Sequence, residues 1–265
     1  MSFQAPISAI IPCYCSSETI EIAVKSILAQ SVAVGEIILV DDCSEDDTIN
    51  VMHELVNKYG SVIKVLKLPK NSGPGHARNV GWDFANEPWI AFLDADDAWH
   101  PLKIEMQWNW IKSHPQAVLV GHATKLFNGE VDDLILDKVT AKPISLLQML
   151  VSNRFPTRSV IMRKDLPFRF IDDRCEDYFL WLEIISSGYQ AWRINLPLAY
   201  SFRDEYSPGG FSSRLWDHEK GEIRALYKLH LNKRISFPLL ICASLWSFLK
   251  FLRRLFRNLL SIPRD

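Results

Sequence analysis

The run Trp89-Ile90-Ala91-Phe92-Leu93 ends abruptly in Asp94-Ala95-Asp96-Asp97, three carboxylates within four residues. An apolar stretch of that length bounded by acids is a buried strand that delivers charge to a sheet edge. Side chains alternate along an extended backbone, so Asp94 and Asp96 fall on one side while Asp97 turns away. Carboxylates held side by side repel each other. A hard cation such as Mg²⁺ or Mn²⁺ relieves that repulsion and keeps positions open for water and phosphate oxygens. The competing reading is an acidic loop capping a helix that Pro101 starts.

Upstream, the chain alternates between the periods of strand and helix. Ile7-Ser8-Ala9-Ile10-Ile11 is a short apolar run stopped by Pro12. After Ser16-Ser17, a candidate N-cap, Ile20, Ala23, Val24, Ile27 and Leu28 fall on one helix face. Glu36-Ile37-Ile38-Leu39-Val40 is a second strand ending at Asp41-Asp42. Ser44 with Asp47 three residues on resembles a capping box before the stripe Val51, Met52, Leu55, Val56 and Tyr59. Residues 62–68 make a third strand, 71–75 a turn-rich loop and 76–85 a helix before the strand at 89. This predicts an α/β fold with a mostly parallel central sheet flanked by helices.

Ligands of such sheets bind at the carboxyl ends of the strands. There this chain places Tyr14, then Asp41 and Asp42, then Asp94 and Asp96. Two acidic pairs converging on one edge favour a ligand with a polar base and a diphosphate, whereas Asp46 and Asp47 are expected only to cap a helix. Gly-x-Gly-x-x-Gly is missing after the first strand, which argues against NAD.

Beyond Pro101 a helix carrying Met106, Trp108 and Ile111 leads to a strand at 117–121, and 129–142 reads as a loop or lid. Residues 155–162 suggest another strand. An aromatic, apolar helix over 178–185 follows, with Glu176 and Asp177 in its first turn, where the helix dipole by itself favours negative charge. The expected division is a catalytic unit over 1–220, with a nucleotide-binding half (1–100) and an acceptor half (101–220), and a C-terminal helical extension over 221–265.

The chain has 265 residues, 48% hydrophobic content and a formal net charge of −1, enough for a large core and without the basic footprint of a nucleic-acid partner. Five cysteines with no Cys-x-x-Cys spacing fit a reducing compartment, and residues 1–6 lack the pattern of a signal peptide. The expected location is cytoplasmic. The apolar span 237–249 covers thirteen residues, short of the ~20 needed to cross a bilayer. Lys250, Arg253, Arg254 and Arg257 follow, interleaved with Phe251, Leu252, Leu255 and Phe256. That pattern predicts a basic amphipathic helix lying on the membrane surface; the alternative is a terminal helix pair packed on the catalytic unit or, in a homo-oligomer, on another subunit.

Taken together in their order, these motifs resemble a family 2 glycosyltransferase of the GT-A fold, over roughly residues 7–220. The resemblance is carried by Ile10-Ile11-Pro12-Cys13-Tyr14, Ser26-Ile27-Leu28-Ala29-Gln30, Val40-Asp41-Asp42-Cys43-Ser44 and Gly73-Pro74-Gly75-His76-Ala77-Arg78-Asn79-Val80-Gly81. It continues through Leu93-Asp94-Ala95-Asp96-Asp97 with Trp99 and Pro101, then Glu176-Asp177 with Leu180-Trp181-Leu182. The family usually has Asn where this chain has Cys15.

The resemblance implies inverting transfer of a sugar from a nucleotide-diphosphate donor, a UDP-sugar by the commonest pattern. It implies donor contacts from Pro12, Tyr14, Asp41, Asp42, Arg78, Asp94 and Ala95, with Asp42 on the base and Arg78 on base or phosphate. Asp96 would be the principal ligand of Mn²⁺ or Mg²⁺, with Asp94 beside it. Asp177 would be the general base, and Glu176 and Trp181 would line the acceptor. Many relatives carry Arg-x-His after the last core strand. The corresponding segment, 200–212, has no histidine, so a third metal ligand is not implied. Similar bacterial enzymes extend surface polysaccharide or O-antigen units on a polyprenyl diphosphate lipid at the cytoplasmic face. The rival readings are a sugar-phosphate nucleotidyltransferase, whose Gly-rich loop is absent after the first strand, and a non-catalytic nucleotide-sugar-binding assembly subunit.

Overall fold

The computed structural model describes residues 4–134, 139–202 and 215–260, with side chains through 256. The first half keeps the expected alternation: β1 (Gln4–Cys13), α1 (Ile20–Leu28), β2 (Ala33–Asp41), α2 (Thr48–Tyr59), β3 (Ile63–Lys67), α3 (Pro74–Phe84) and β4 (Trp89–Phe92). The second half runs through β5 (Asp97–Trp99), α4 (Lys103–Ser113), β6 (Ala117–Leu126), β7 (Ala141–Pro143), α5 (Leu146–Val151), β8 (Ile161–Arg163), α6 (Glu176–Ser186) and β9 (Gln190–Ser201). Two helices, α7 (Leu215–Leu231) and α8 (Phe237–Leu260), close it.

One sheet has the order β3-β2-β1-β4-β8-β6-β9-β5, with β7 beside β9. Its first four strands are parallel, with Ile10 opposite Ile38 on one side and Phe92 on the other. The carboxyl ends of β1, β2 and β4 therefore share an edge. Alternation along these strands divides the core. Ile10, Ile38, Val40 and Phe92 pack toward α3 and α6, whereas Ile7, Ile11, Ile37 and Leu39 pack toward α1 and α2. Helix α3 lies so close to β1 that a Cβ on Gly81 would stand 2.6 Å from Ile10 Cγ2.

Among the described residues parallel pairing is confined to the first half and to β6 with β9; β8 joins β4 and β6 antiparallel, and β5 joins β9 antiparallel. The strand expected over 155–162 is cut to β8, because Pro156 and a 3-10 turn over Thr157–Ser159 precede it. Within the expected loop at 129–142, Ala141 already starts β7, while 135–138 lie outside the described residues. The capping box does not form at Ser44 and Asp47. Asp47 is the N-cap without a side-chain capping bond, and Ser44 Oγ instead accepts from Cys15 N–H at 3.0 Å, joining the loops after β1 and β2. Asp46 does cap α2, accepting from Thr48 N–H at 3.1 Å.

The division expected at 220/221 falls inside α7, a continuous helix that packs between α6 and α8. Among the described residues no helix is long and apolar enough to cross a membrane. Two of the four cations expected at lipid headgroups are turned inward: Lys250 pairs with Glu222 at 3.1 Å and Arg254 with Glu219 at 3.2 Å, both on α7. Arg253 is exposed.

Opposite the site edge, Glu36 is buried and accepts from Ser8 Oγ at 2.6 Å and Asn86 N–H at 2.6 Å, besides pairing with Lys64. Burial opposes its ionisation, but the bonds from Lys64, Ser8 and Asn86 outweigh it and bring the carboxyl from 4.5 down to about 2. A depressed carboxylate contributes stability above its unfolded value, and that stability disappears as pH falls toward the folded value. The expected result is that Glu36→Gln costs about 1–2 kcal/mol at pH 7 after allowance for screening, with a deficit that shrinks between about pH 4.5 and 2. Urea unfolding across that range measures it.

Candidate active site

The turn after β4 closes when Asp97 N–H donates to the Asp94 carbonyl at 3.1 Å. It sends the three acids to different places. Asp96 is exposed, Asp94 is half-buried, and Asp97 is buried with its Oδ2 3.0 Å from Arg158 Nη1. Burial, with Asp94 and Asp96 nearby, pushes the Asp97 carboxyl up to about 7 against the pull of Arg158. Asp97 is thus the anchor of the turn, while Asp94 and Asp96 lie nearer its surface. The carboxylates of Asp94, whose Oδ1 accepts from Arg78, and of Asp96 are the hard oxygen donors that Mg²⁺ or Mn²⁺ takes, with water filling other positions. Among the described residues no cluster of three or more His, Cys, Asp or Glu could hold an ion.

Arg78 crosses from this turn to the start of α6. Its Nη2 lies 2.6 Å from Asp94 Oδ1 and its Nη1 2.8 Å from Glu176 Oε1, and the guanidinium sits 5.4 Å from the Phe170 ring centre. Burial works against the cation, but Asp94 and Glu176 outweigh it and hold the guanidinium firmly protonated. Burial raises the Glu176 carboxyl, aided by Asp177 and opposed by Arg78. Arg78, expected on the donor, is therefore engaged by two carboxylates, and Glu176, expected at the acceptor, is buried as its partner.

Of the two acids in the first turn of α6, Asp177 is the one that remains partly open. Its Oδ2 accepts from Asn153 Nδ2 at 3.1 Å and from Thr157 Oγ1 at 3.3 Å. Neither partner was legible in the sequence, where Thr157 fell inside the expected strand and Asn153 just before it; Pro156 between them was the signal that the strand starts later. Trp181, expected to line the acceptor, is fully buried, with its ring 5.9 Å from Phe170. Helix α6 is apolar nearly all round, so its tryptophan belongs to the core.

The loops after β1 and β2 form the other wall. Tyr14 is exposed and Pro12 half-buried, while Ala95 is buried within the β4 turn. Asp42 accepts from Ser72 N–H at 2.9 Å and Gly73 N–H at 2.7 Å, so it fixes the loop that enters α3. Asp41 is fully buried and accepts from Ser44 N–H at 3.1 Å. A cavity of about 470 Å³ lies between the 70–76 loop and the 171–176 segment, with Lys70, His76, Arg174 and Glu176 on its walls. Three non-glycine residues around this edge have left-handed backbone: Cys15 (φ 48°), Cys43 (φ 61°) and Cys175 (φ 61°), the last being the N-cap of α6. Such strain is sustained where surrounding structure demands one loop geometry. Of the 200–212 segment that follows the last core strand, residues 203–212 lie outside the described residues. His100 and His122 have structural bonds, to the Asp132 and Ala123 carbonyls.

The chain is 32% identical over 200 residues to WfaP of Escherichia coli, named UDP-Glc:alpha-D-GlcNAc-diphosphoundecaprenol beta-1,3-glucosyltransferase, covering 73% of this chain and 76% of that protein. Its fold is similar to S. aureus TarS 1–349 in complex with UDP-GlcNAc, with a TM-score of 0.68 at 22% identity over 86% of this chain and 66% of that one. It also resembles the mannosyltransferase PcManGT of Pyrobaculum calidifontis, in complex with GDP-Man and Mn²⁺, with a TM-score of 0.68 at 14% identity over 98% and 77% of the two chains. Both are GT-A-like structures. With strand-end acids, an acidic turn and a carboxylate-led helix gathered on one edge, and the glycosyl transferase family 2 model matching residues 8–166, the chain belongs to that family of glycosyltransferases.

Proposed function

We propose that this protein is an inverting glycosyltransferase that moves a sugar from a UDP-sugar to a hydroxyl of a glycan carried on a polyprenyl diphosphate lipid, in bacterial surface-polysaccharide assembly such as that of O-antigen. It works peripherally at the inner face of the cell membrane. The observation that carries the reading is that Arg78 ties the turn bearing Asp94 and Asp96 to the first turn of α6, which bears Asp177, so that these carboxylates share one edge. The relatives' donor and acceptor support the choice of substrates.

Asp94 and Asp96 would hold Mn²⁺ or Mg²⁺, which when bound neutralises charge on the departing diphosphate. Exposed Tyr14 and half-buried Pro12 offer the base a wall, and Asp42 keeps the 72–73 backbone in place beside it. Asp177 takes the proton of the acceptor hydroxyl as that oxygen attacks the anomeric carbon from the face opposite the leaving group. Asn153 and Thr157 orient the carboxylate by donating to Oδ2.

The test is transfer from UDP-sugars to a prenyl-diphosphate-linked acetamido sugar. The expected result is one lengthened glycolipid whose new linkage, read by NMR, is β from an α-configured donor. An α linkage, or donor consumed with no lengthened acceptor, contradicts the reading.

A further inference from the structure

We infer that the outer faces of α5 and α8 form one surface that docks on an anionic lipid bilayer and presents the Asp177 side of the cleft to it. The inference rests on the lipid-linked acceptor proposed above and identifies the face that meets the lipid. On α8, Ala243, Ser247 and Phe251 are buried, whereas Ile241, Leu245, Leu249 and Phe256 recur at helical spacing on the opposite side and stay exposed, Leu245 by 60% and Phe256 by 61%. Helix α5 extends the patch with Leu147, 63% exposed, and Val151, 44% exposed. The two helices are joined where Trp246 Nε1 donates to the Val151 carbonyl at 3.0 Å. A contiguous apolar surface of this kind marks an interaction site.

Charge selects the occupant. Between Glu222 and Asp265 the chain has no acidic residue. Lys250 and Arg254 are neutralised by α7, but Lys233 and Arg234 before α8 and Arg253 on it are exposed. A two-fold contact between copies would bring these cations toward one another, whereas anionic headgroups neutralise them beside inserted apolar side chains. Position gives the surface its use. Two residues beyond Val151, Asn153 donates to Asp177, so one end of the patch abuts the proposed base. A glycan on a membrane lipid would reach the cleft from that side.

The experiment is flotation of the full chain with vesicles of phosphatidylglycerol and phosphatidylcholine, beside pure phosphatidylcholine vesicles. It compares wild type with Leu245→Glu/Leu249→Glu and with Lys233→Glu/Arg234→Glu, exposed positions whose replacement leaves the core intact. Wild type should float with the anionic vesicles, and each variant should lose about tenfold in partitioning. Turnover of a water-soluble acceptor should stay unchanged. Failure of wild type to float, or equal flotation of the variants, overturns the inference. So does a dimer in light scattering that Leu245→Glu/Leu249→Glu breaks while wild type ignores vesicles, because the patch then belongs to a second copy. Flotation reads the surface alone and soluble-acceptor transfer reads the enzyme alone, so either can fail without the other.

Discussion

Asp177→Asn should slow transfer by about 10² to 10⁴-fold while leaving nucleotide binding unchanged. The asparagine keeps a side-chain oxygen to accept from Asn153 Nδ2 and Thr157 Oγ1, so the local geometry survives. It cannot take a proton from a sugar hydroxyl, a poor nucleophile until that proton is leaving. Single-turnover transfer beside calorimetric titration of the nucleotide separates the two effects. Undiminished transfer by the variant would remove Asp177 from the chemistry and leave it as a first-turn acid of α6, favoured there by the helix dipole alone.

Arg78→Met should cost about 3–5 kcal/mol of stability at pH 8 and abolish transfer, because it leaves Asp94 and buried Glu176 facing each other without their counterion. Methionine fills similar volume, so the loss is chiefly electrostatic. The sign with pH follows from Glu176. Its carboxyl is raised by burial even with Arg78 present, and removing the cation raises it further. A carboxyl whose folded value lies above its unfolded one destabilises the fold as it ionises. The deficit of Arg78→Met should therefore grow from pH 5 to pH 8. Arg78→Lys should recover part of the stability, since an ammonium neutralises charge but lacks the planar fork that reaches both carboxylates. Thermal melts at the two pH values measure all three, and a pH-independent deficit would contradict the electrostatic account.

Strand ends were legible in the sequence because burial leaves a signature: β1, β2 and β4 are apolar runs with period-2 packing on both faces, and those of β2 and β4 stop at carboxylates. The start of α6 at Glu176 was equally plain. What could not be read was which groups meet. Arg78 and Glu176 are 98 residues apart, and nothing local says that the arginine takes two carboxylates rather than a phosphate. Thr157 was hidden by the same apolar run that made 155–162 resemble a strand, since Pro156 ends pairing there without altering the hydrophobic pattern, and Asn153 just before it was read only as strand flank. Lys250 and Arg254 looked like half of a basic face because the acids that pair with them lie a helix away on α7. Trp181 belonged to a family motif, but an all-round apolar helix places it in the core.

The central claim, a nucleotide-sugar site built on the Asp94–Asp97 turn, is tested most directly by calorimetry. The purified chain is titrated with UDP, dTDP and GDP, each with and without Mn²⁺, and the series is repeated on Asp96→Ala. The account predicts that UDP binds, that binding depends on Mn²⁺, and that Asp96→Ala loses it while its unfolding midpoint stays at the wild-type value. A folded wild-type protein that binds none of the three nucleotides, or an Asp96→Ala variant that binds UDP as tightly as wild type, would contradict it.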